Sequence, residues 1–457
     1  MRLLYTFLLH LVQLALPLVG LFNGKMKLSV DGRKRVYEEL RSSLKEGQPT
    51  LWFHAASLGE YEQGLPVMEA IQKQYPKHQI LITFFSPSGY EVKKDSAIGK
   101  AVTYLPLDTV INANKFLDIV KPEAAFFIKY EFWPNYLRAL SQRKIRTFLI
   151  SGVFREQQPF FKWYGAWMRK SLETFEHFFL QDAASLEALR LLHFDNATVN
   201  GDTRFDRVSH QIEMDNSLAF MDAFTNDSLS VVCGSTWPED DSVLIPYINA
   251  HQGVAKWIIA PHEIKAEKIK TIENGLKLKT VRYSDLEGKD LSQYDVLILD
   301  TIGLLTKVYS YAHIAYVGGA MGTTGLHNIL EPATFGVPII TGPHLDKFPE
   351  ARKLRQLAGL YTASNAKEVE AIFTKLFADP KFRTQTGMIS GHYINSNTGA
   401  TKAVLEYFGK LPLGGLDEIE TPPLSFGHLP QRDSPSVLRT SPPKGFPLCP
   451  SDISPKG

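Results

Sequence analysis

Two acidic side chains follow strand-like apolar runs in the first half of the chain. Glu60 lies in HAASLGE, after the run LWF, and Glu131 lies in YEFWPN, after the run AAFFI. A carboxylate held at the end of a strand can act as a general base and remove a proton from an attacking hydroxyl. Considered alone, each residue could equally be a solvated surface acid.

Basic side chains accompany these acids. Lys129 comes two residues before Glu131, Arg155 lies in SGVFRE, and Arg204 lies in NGDTRFD. If the runs before them are neighbouring parallel strands, the acids and the cations lie along one edge of a sheet. Cations beside a general base could hold an anionic substrate there.

The spacing of Ser57 and Glu60 also has a purely structural interpretation. S-x-x-E is the pattern of a capping box, in which the acid accepts the backbone N–H of the serine that starts a helix. A carboxylate folded back in this way cannot be fully free for a substrate. We expect Ser57 or the turn at Gly59 to start the helix, and Glu60 to point into a cleft.

The second half of the chain contains a glycine-rich motif at residues 317–344, VGGAMGTTGLHNILEPATFGVPIITGPH. Glycines let a backbone approach a phosphate, and a helix beginning near His327 would offer free N–H groups to it. Glu331, one turn into that helix, could accept ribose hydroxyls. The spacing matches neither G-x-G-x-x-G nor the P-loop. A glycine-rich turn before a helix with an acidic first turn is the alternative.

Two other strand ends could add polar groups to this second site. The run VVCGST ends in Ser235 and Thr236, whose hydroxyls and amides suit an anionic ligand, although Thr236 could simply cap a helix. The run IIAPHE places His262 at the next strand end, where a structural role is the alternative.

These side chains need a scaffold, and the chain of 457 residues predicts two domains. Strand-like runs alternate with helical stretches in two series, LWFHAAS, ILITFFS, AVTYLP, AAFFIKY and RTFLIS, then LSVVCGS, KWIIAPH, VLILD, AHIAYVGG and VPIITGP. We therefore predict α/β, doubly wound domains at 25–207 and 229–412, joined by a polar linker at 208–228. Residues 367–379 and 396–409 read as closing helices.

The chain begins with an apolar segment. Residues 3–22 carry no formal charge and, as a helix, would extend about 30 Å, one bilayer core. More basic residues follow the segment than precede it, which by the positive-inside rule places the body in the cytoplasm. We expect residues 1–24 to be a retained anchor that spans the membrane or lies in its interface. A cleaved signal peptide is the alternative.

Composition adds weaker indications. The two cysteines, Cys233 and Cys449, fit no disulfide framework or zinc spacing, which suits a reducing compartment. Residues 1–210 contain 27 Lys and Arg against 21 Asp and Glu, which suggests an anionic surface or substrate unless the charges are simply scattered. Residues 413–457 are rich in proline and serine, and we expect this tail to be disordered.

In this order, the segments resemble one family, the 3-deoxy-D-manno-octulosonic acid (Kdo) transferases of lipopolysaccharide assembly. The resemblance covers about residues 1–410 and is carried by HAASLGE, YEFWPN, SGVFRE, NGDTRFD, CGST, DTIG, VGGAMGTTGLHNILEPA, and GPH with the nearby Phe348. It implies the GT-B fold, in which two Rossmann-like domains face each other across a cleft. It also implies an N-terminal helix that anchors the protein to the cytoplasmic face of the inner membrane.

The resemblance further implies a reaction and its residues. The donor would be CMP-Kdo and the acceptor the lipid A precursor lipid IVA, with inversion, no metal or other cofactor, and no nucleic-acid partner. Glu60 would be the general base and Glu131 a second acid of the cleft. The donor-binding residues would be Ser235, Thr236, His262, Gly303, Gly325, Asn328 and Glu331, and the acceptor- or anion-binding residues Lys129, Arg155 and Arg204.

The chain departs from the family pattern at three of these positions. At Arg204 it has GDTR where many members have G-N-x-K, which keeps the charge. APHEIK stands where many members have R-H-P-E-R, so a donor-binding arginine is missing and His262 is the candidate to replace it. Lys129 stands where many members have an acid. Another GT-B sugar-nucleotide transferase or a nucleotide-sugar epimerase is the alternative enzyme. A membrane-tethered binding protein that has kept the fold is the alternative of another class.

Overall fold

The structure, a computed structural model, describes residues 2–409. Within this range the strands form two separate parallel sheets of seven strands each. The α/β class and the two doubly wound, Rossmann-like domains predicted from the sequence are confirmed. The predicted tail at 413–457 lies outside the described residues.

The first sheet has the order β3-β2-β1-β4-β5-β6-β7. Its central strands are buried on both faces, which explains why they read as continuous apolar runs instead of alternating ones. The strands are β1 (Thr50–Ala55), β2 (Gln79–Phe84), β3 (Ala101–Tyr104), β4 (Pro122–Ile128), β5 (Arg146–Gly152), β6 (His177–Leu180) and β7 (Ala197–Val199).

Helices precede, connect and follow these strands. They are α1 (Arg2–Phe22), α2 (Gly24–Ser43), α3 (Leu58–Gln74), α4 (Pro87–Lys93), α5 (Val110–Val120), α6 (Pro134–Gln142), α7 (Ala166–Leu172), α8 (Ala183–Leu191) and α9 (Thr203–His210).

The second sheet has the order β10-β11-β9-β8-β12-β13-β14. Its strands are β8 (Ser230–Thr236), β9 (Lys256–Pro261), β10 (Thr280–Arg282), β11 (Val296–Ile298), β12 (Ile314–Val317), β13 (Ile339–Thr341) and β14 (Leu360–Thr362). Its helices are α10 (Ala219–Thr225), α11 (Pro238–Ala250), α12 (Ala266–Gly275), α13 (Leu305–Val308), α14 (Leu330–Thr334), α15 (Pro349–Gln356), α16 (Ala366–Ala378), α17 (Pro380–Asn395) and α18 (Ala400–Gly409).

The ten strands predicted from apolar runs are all present. The sequence did not indicate β6, β7, β10 and β14, which have only three or four residues each and so give little periodicity. The predicted linker at 208–228 contains α10, because Met221 and Phe224 are apolar enough to pack into the core of the second sheet.

The last described helix, α18, packs on the first sheet, although it follows the second sheet in the chain. The Phe408 ring lies 5.1 Å from the Phe126 ring and 5.6 Å from the Phe148 ring, and it also contacts Tyr75 at the end of α3. Edge-on aromatic contacts of this kind add to the area they bury. The first domain is therefore completed by a helix from the far end of the described chain.

Helix α1 leaves most of its apolar surface uncovered. Leu4–Phe22 is the one helix of the described range that is long and apolar enough to cross a membrane, with mean hydropathy 1.8 and 6% of its window buried. Its N-terminal end nevertheless contacts the first domain. The Tyr5 hydroxyl donates to Asp108 Oδ2 at 2.9 Å, and the Tyr5 ring lies 5.2 Å from that of Trp167.

The packing of α18 leads to a prediction for Phe408→Ala. Phe408 is 1% exposed, so its removal leaves a cavity against the first sheet and should lower the free energy of unfolding by about 3–5 kcal/mol. Urea denaturation followed by tryptophan fluorescence measures this loss. Met388→Ala on α17, at a position 67% exposed, is the control and should change stability by less than about 0.5 kcal/mol. Equal losses in the two variants would contradict the packing role of α18.

Candidate active site

The strand order reverses between β1 and β4 in the first sheet and between β8 and β12 in the second. Connections at such a point run to opposite faces and leave a crevice at the carboxyl ends of the strands. Glu60 follows β1, Lys129 and Glu131 follow β4, and Arg155 follows the neighbouring β5. The predicted placement of these side chains along one sheet edge is confirmed.

Glu60 caps the helix that it helps to start. Its Oε2 accepts the Ser57 N–H at 2.8 Å and the Ser57 hydroxyl at 3.1 Å, and α3 begins at Leu58. The expectation that Ser57 starts the helix is confirmed, and Glu60 completes the capping box because the start of a helix attracts a carboxylate. Only one oxygen is used in this way. Among the described residues, Oε1 makes no hydrogen bond. The catalytic role of Glu60 stays a prediction.

The surroundings of Glu60 raise its proton affinity. The side chain is buried, and burial together with the charge of Glu131 raises its pKa above the ordinary glutamate value. The Ser57 bonds and the charge of Lys129 act in the opposite direction without cancelling the shift. A carboxylate with a raised pKa is a better proton acceptor near neutral pH than an ordinary one.

Lys129 is held in an unusual backbone conformation at the end of β4. Its φ is +69°, in the left-handed region that non-glycine residues rarely adopt. The Lys129 N–H donates to the Ile150 carbonyl at 2.8 Å, which ties the turn to β5. Burial, followed by the charge of Arg204, lowers the pKa of the Lys129 ammonium. Strain of this kind is found where a side chain must be aimed precisely into a site.

A buried network lies behind Glu131. The Trp133 indole N–H lies 2.9 Å from Glu131 Oε2 and 2.9 Å from His54 Nε2, and His54 Nδ1 lies 2.9 Å from the Thr83 hydroxyl. His54 is fully buried. Sequence reasoning gave neither Trp133 nor His54 a role, although both lie in the motifs that contain Glu131 and Glu60. Their polar atoms at strand ends were the available signal.

The predicted anion-binding arginines behave differently. Arg204 pairs with Asp202 at 2.8 Å and with Glu350 of α15 at 3.1 Å, so it links α9 to the second domain and its charge is already balanced. This geometry does not favour Arg204 as an anion ligand. Arg155 is exposed and forms no ion pair within residues 2–409.

The second crevice contains a cavity of about 290 Å³ at the carboxyl ends of β8 and β12. Four of its lining residues were predicted: Ser235, Gly303, Asn328 and Glu331. Four were not: Leu305, Thr306, Tyr309 and His327. The tyrosine explains the glycine of the GST turn, because a Cβ at Gly234 would lie 1.9 Å from the Tyr309 hydroxyl.

Glu331 is held by two neighbours in this cavity. Its Oε2 accepts from the Thr306 hydroxyl and its Oε1 from the Asn328 amide, each at 3.0 Å, while burial raises its pKa. Helix α14 begins at Leu330, so the prediction of a helix starting near His327 is wrong. The Asn328 side chain accepts the Leu330 N–H at 3.1 Å and ends the loop there.

Three other predicted donor residues lie beside the cavity without lining it. Thr236 is buried next to Asp241 and does not cap α11, which begins after Trp237. Gly325 has a φ of +106°, a conformation that suits glycine alone. His262 stacks on the Trp237 ring at 4.5 Å and lies 4.4 Å from the His327 ring.

The imidazole of His262 does not replace the charge of an arginine. Burial lowers its pKa below the ordinary histidine value, so the ring is neutral at pH 7. The described part of the chain brings together no group of three or more His, Cys, Asp or Glu side chains that could hold a metal ion. Metal-independence stays a prediction.

Comparison with known proteins agrees with the geometry. Residues 30–207 match a family described as 3-Deoxy-D-manno-octulosonic-acid transferase (kdotransferase). This stretch is therefore similar to the Kdo transferases. The chain is also 25% identical to the 3-deoxy-D-manno-octulosonic acid transferase of Chlamydophila psittaci, over 83% of this chain and 90% of that protein. The Haemophilus influenzae protein of the same name is 26% identical, over 89% and 97%.

Solved structures share the fold of the two domains. UDP-GlcNAc 2-epimerase from Neisseria meningitidis superposes with a TM-score of 0.57 at 16% identity, covering 79% of this chain and all of that one. Acinetobacter baumannii MurG superposes with a TM-score of 0.50 at 14% identity, covering 80% and 100%. These likenesses confirm the GT-B fold class. The similarity to Kdo transferases supports a glycosyltransferase that transfers Kdo.

Proposed function

We propose that this protein transfers Kdo from CMP-Kdo to the lipid A precursor lipid IVA. The observation that carries the proposal is the pair of buried acids, Glu60 and Glu131, at the crevice of a Kdo transferase domain. The cavity around Glu331 and Ser235 supplies a separate place for the nucleotide. A group transfer needs two sites, one for each substrate.

The reaction follows from these positions. The acceptor hydroxyl attacks the anomeric carbon of Kdo, a new carbon–oxygen bond forms, and the bond from that carbon to the CMP phosphate breaks. Glu60 Oε1 removes the hydroxyl proton while Oε2 stays bonded to Ser57. Attack opposite the departing phosphate inverts the anomeric centre. The Trp133 indole nitrogen lies 2.9 Å from Glu131 Oε2, and the charge of Glu131 contributes to the raised pKa of Glu60.

The nucleotide is proposed to lie against Glu331. Thr306 and Asn328 fix both carboxylate oxygens, and each oxygen has a further lone pair for a ribose hydroxyl. The phosphate is proposed to lie near the left-handed turn at Ser235, whose φ is +55°. Backbone N–H groups in such a turn form a concave anion site.

The acceptor is a lipid, and α1 is proposed to keep the enzyme on its membrane. The Tyr5–Asp108 bond and the Tyr5–Trp167 contact hold the N-terminal end of α1 against the first domain. A spanning helix would carry that end about 30 Å away, across the bilayer core. We therefore propose that α1 lies in the interface at the cytoplasmic face of the inner membrane.

The decisive experiment identifies the lipid product. Purified protein incubated with CMP-Kdo and lipid IVA in mixed micelles should release CMP and increase the lipid mass by one or more Kdo units. Mass spectrometry of the lipid measures this. The Haemophilus influenzae relative is the positive control. Absence of CMP release under conditions that support that relative would reject the proposal. Conversion of UDP-GlcNAc without an acceptor would favour an epimerase instead.

The double role of Glu60 can be separated by two substitutions. Glu60→Gln keeps an oxygen for the Ser57 N–H but cannot accept a proton, so turnover should fall by about 10² or more with unchanged thermal stability. Glu60→Ala should lose both activity and stability. Wild-type kcat/KM should rise with pH through the raised pKa of Glu60, and the residual activity of Glu60→Gln should lack that rise.

Glu38→Gln, on the exposed face of α2, is the matched control and should retain activity. Full turnover in Glu60→Gln, or a large loss of stability in that variant, would show that Glu60 is a helix cap and not a general base.

The membrane arrangement predicts the side on which the start of α1 lies. A cysteine at Leu4, which is 51% exposed, should react with a membrane-impermeant maleimide only in inverted vesicles, in a chain with Cys449→Ser. The natural Cys233 is buried and should not react. Labelling of intact spheroplasts from outside would show that α1 spans the membrane.

A further inference from the structure

The nucleotide cavity contains no lysine or arginine among its lining residues. It does contain the carboxylate of Glu331, held by Thr306 and Asn328. A nucleoside monophosphate entering it must therefore have its phosphate held by neutral hydrogen-bond donors. Backbone N–H groups are one source of such donors. The polar side chains that line the cavity, His327 among them, are the other.

The orientation of the proton on His327 is set by a neighbour. The Trp237 indole nitrogen lies 3.1 Å from His327 Nε2. An indole nitrogen can only donate, so His327 Nε2 must present a lone pair. In the neutral ring the proton then lies on Nδ1. Free neutral histidine prefers the opposite tautomer, so this arrangement depends on Trp237.

The Trp237 ring is itself held in place. It stacks on His262 with centroids 4.5 Å apart and planes 22° apart, and the Lys268 ammonium lies 5.2 Å over its face. The Trp237 backbone N–H donates to Asp240, which also accepts the Gly319 N–H. The indole is therefore fixed by contacts from α11, β9, α12 and the glycine-rich loop.

The other ring nitrogen of His327 is available. Nδ1 forms no hydrogen bond with the residues that the structure describes, and the half-buried ring lines the cavity. We propose that Trp237 fixes His327 in the Nδ1–H tautomer and that this N–H donates to the phosphate of the bound nucleotide. Trp237 is thus a positioning residue. The inference rests on the proposed nucleotide donor and adds the group that recognises its phosphate.

The charges around His327 keep the ring neutral. The His262 ring lies 4.4 Å from the His327 ring, and the Lys268 ammonium lies over the Trp237 ring. Burial and His262 lower the pKa of His327 to about 4. Glu331 lines the same cavity and Asp240 holds the Trp237 backbone, and each is already bonded to other donors. Phosphate binding through His327 therefore needs no protonation at neutral pH.

The tautomer can be observed directly. Full-length protein labelled with ¹⁵N-histidine should show, at pH 7, a His327 signal with a protonated Nδ1 and an unprotonated Nε2, assigned by its loss in His327→Gln. In Trp237→Phe the ring should shift towards the Nε2–H form. Trp257→Phe is the matched control, because the Trp257 N–H has no hydrogen-bond partner in the described part of the chain. An Nε2–H wild-type ring, or one unchanged by Trp237→Phe, would overturn the proposal.

Binding of CMP tests whether the His327 N–H recognises the phosphate. Calorimetry should show CMP affinity lowered by about fivefold or more in Trp237→Phe, the effect of one weakened hydrogen bond, and unchanged in Trp257→Phe. In turnover assays the donor KM should rise while kcat changes little. If Trp237→Phe shifts the tautomer of His327 without lowering CMP affinity, the proposal that His327 binds the phosphate is wrong. The tautomer measurement and the CMP calorimetry need no turnover. An absence of Kdo transfer would therefore reject the proposed function and leave this inference standing.

Discussion

In a parallel sheet, the connections that follow two adjacent strands run to opposite faces where the strand order reverses, and a crevice opens between them. Such a reversal lies between β1 and β4 in the first sheet and between β8 and β12 in the second. The acids follow β1 and β4 in the first sheet, and the cavity lies at the ends of β8 and β12 in the second. The functional residues are scattered through the sequence because neighbouring strands at a reversal are distant in the chain. The ion pair between Arg204 of α9 and Glu350 of α15 joins the first domain to the second.

In the first crevice, the proposed base is also a helix cap. The hydrogen bonds of Glu60 to Ser57 fix its position, and burial beside Glu131 raises its pKa. A freely rotating glutamate would be better solvated and a weaker base. The cap costs the base some proton affinity, since both Ser57 bonds favour the ionised form, but it holds the remaining oxygen in one place.

Sequence patterns predicted the parts of this protein that depend on local composition. Long apolar runs identified the central strands, and strand-end acids identified Glu60 and Glu131. The short strands β7 and β14 have too few residues for a pattern. The partnership of Trp133 with His54, and that of Arg204 with Glu350, joins residues 79 and 146 positions apart. No local spacing encodes such contacts, because only the folded topology brings their strands and helices together.

The return of α18 to the first sheet has a consequence for biosynthesis. The first domain leaves the ribosome early, but its Phe126 and Phe148 side chains are covered only after Phe408 has been synthesised. Until then it exposes aromatic surface, while the second domain, whose strands all precede α18, can close on its own contacts. The domain that is translated first is therefore the one whose packing is completed last. The first domain is completed only after the second domain has been made.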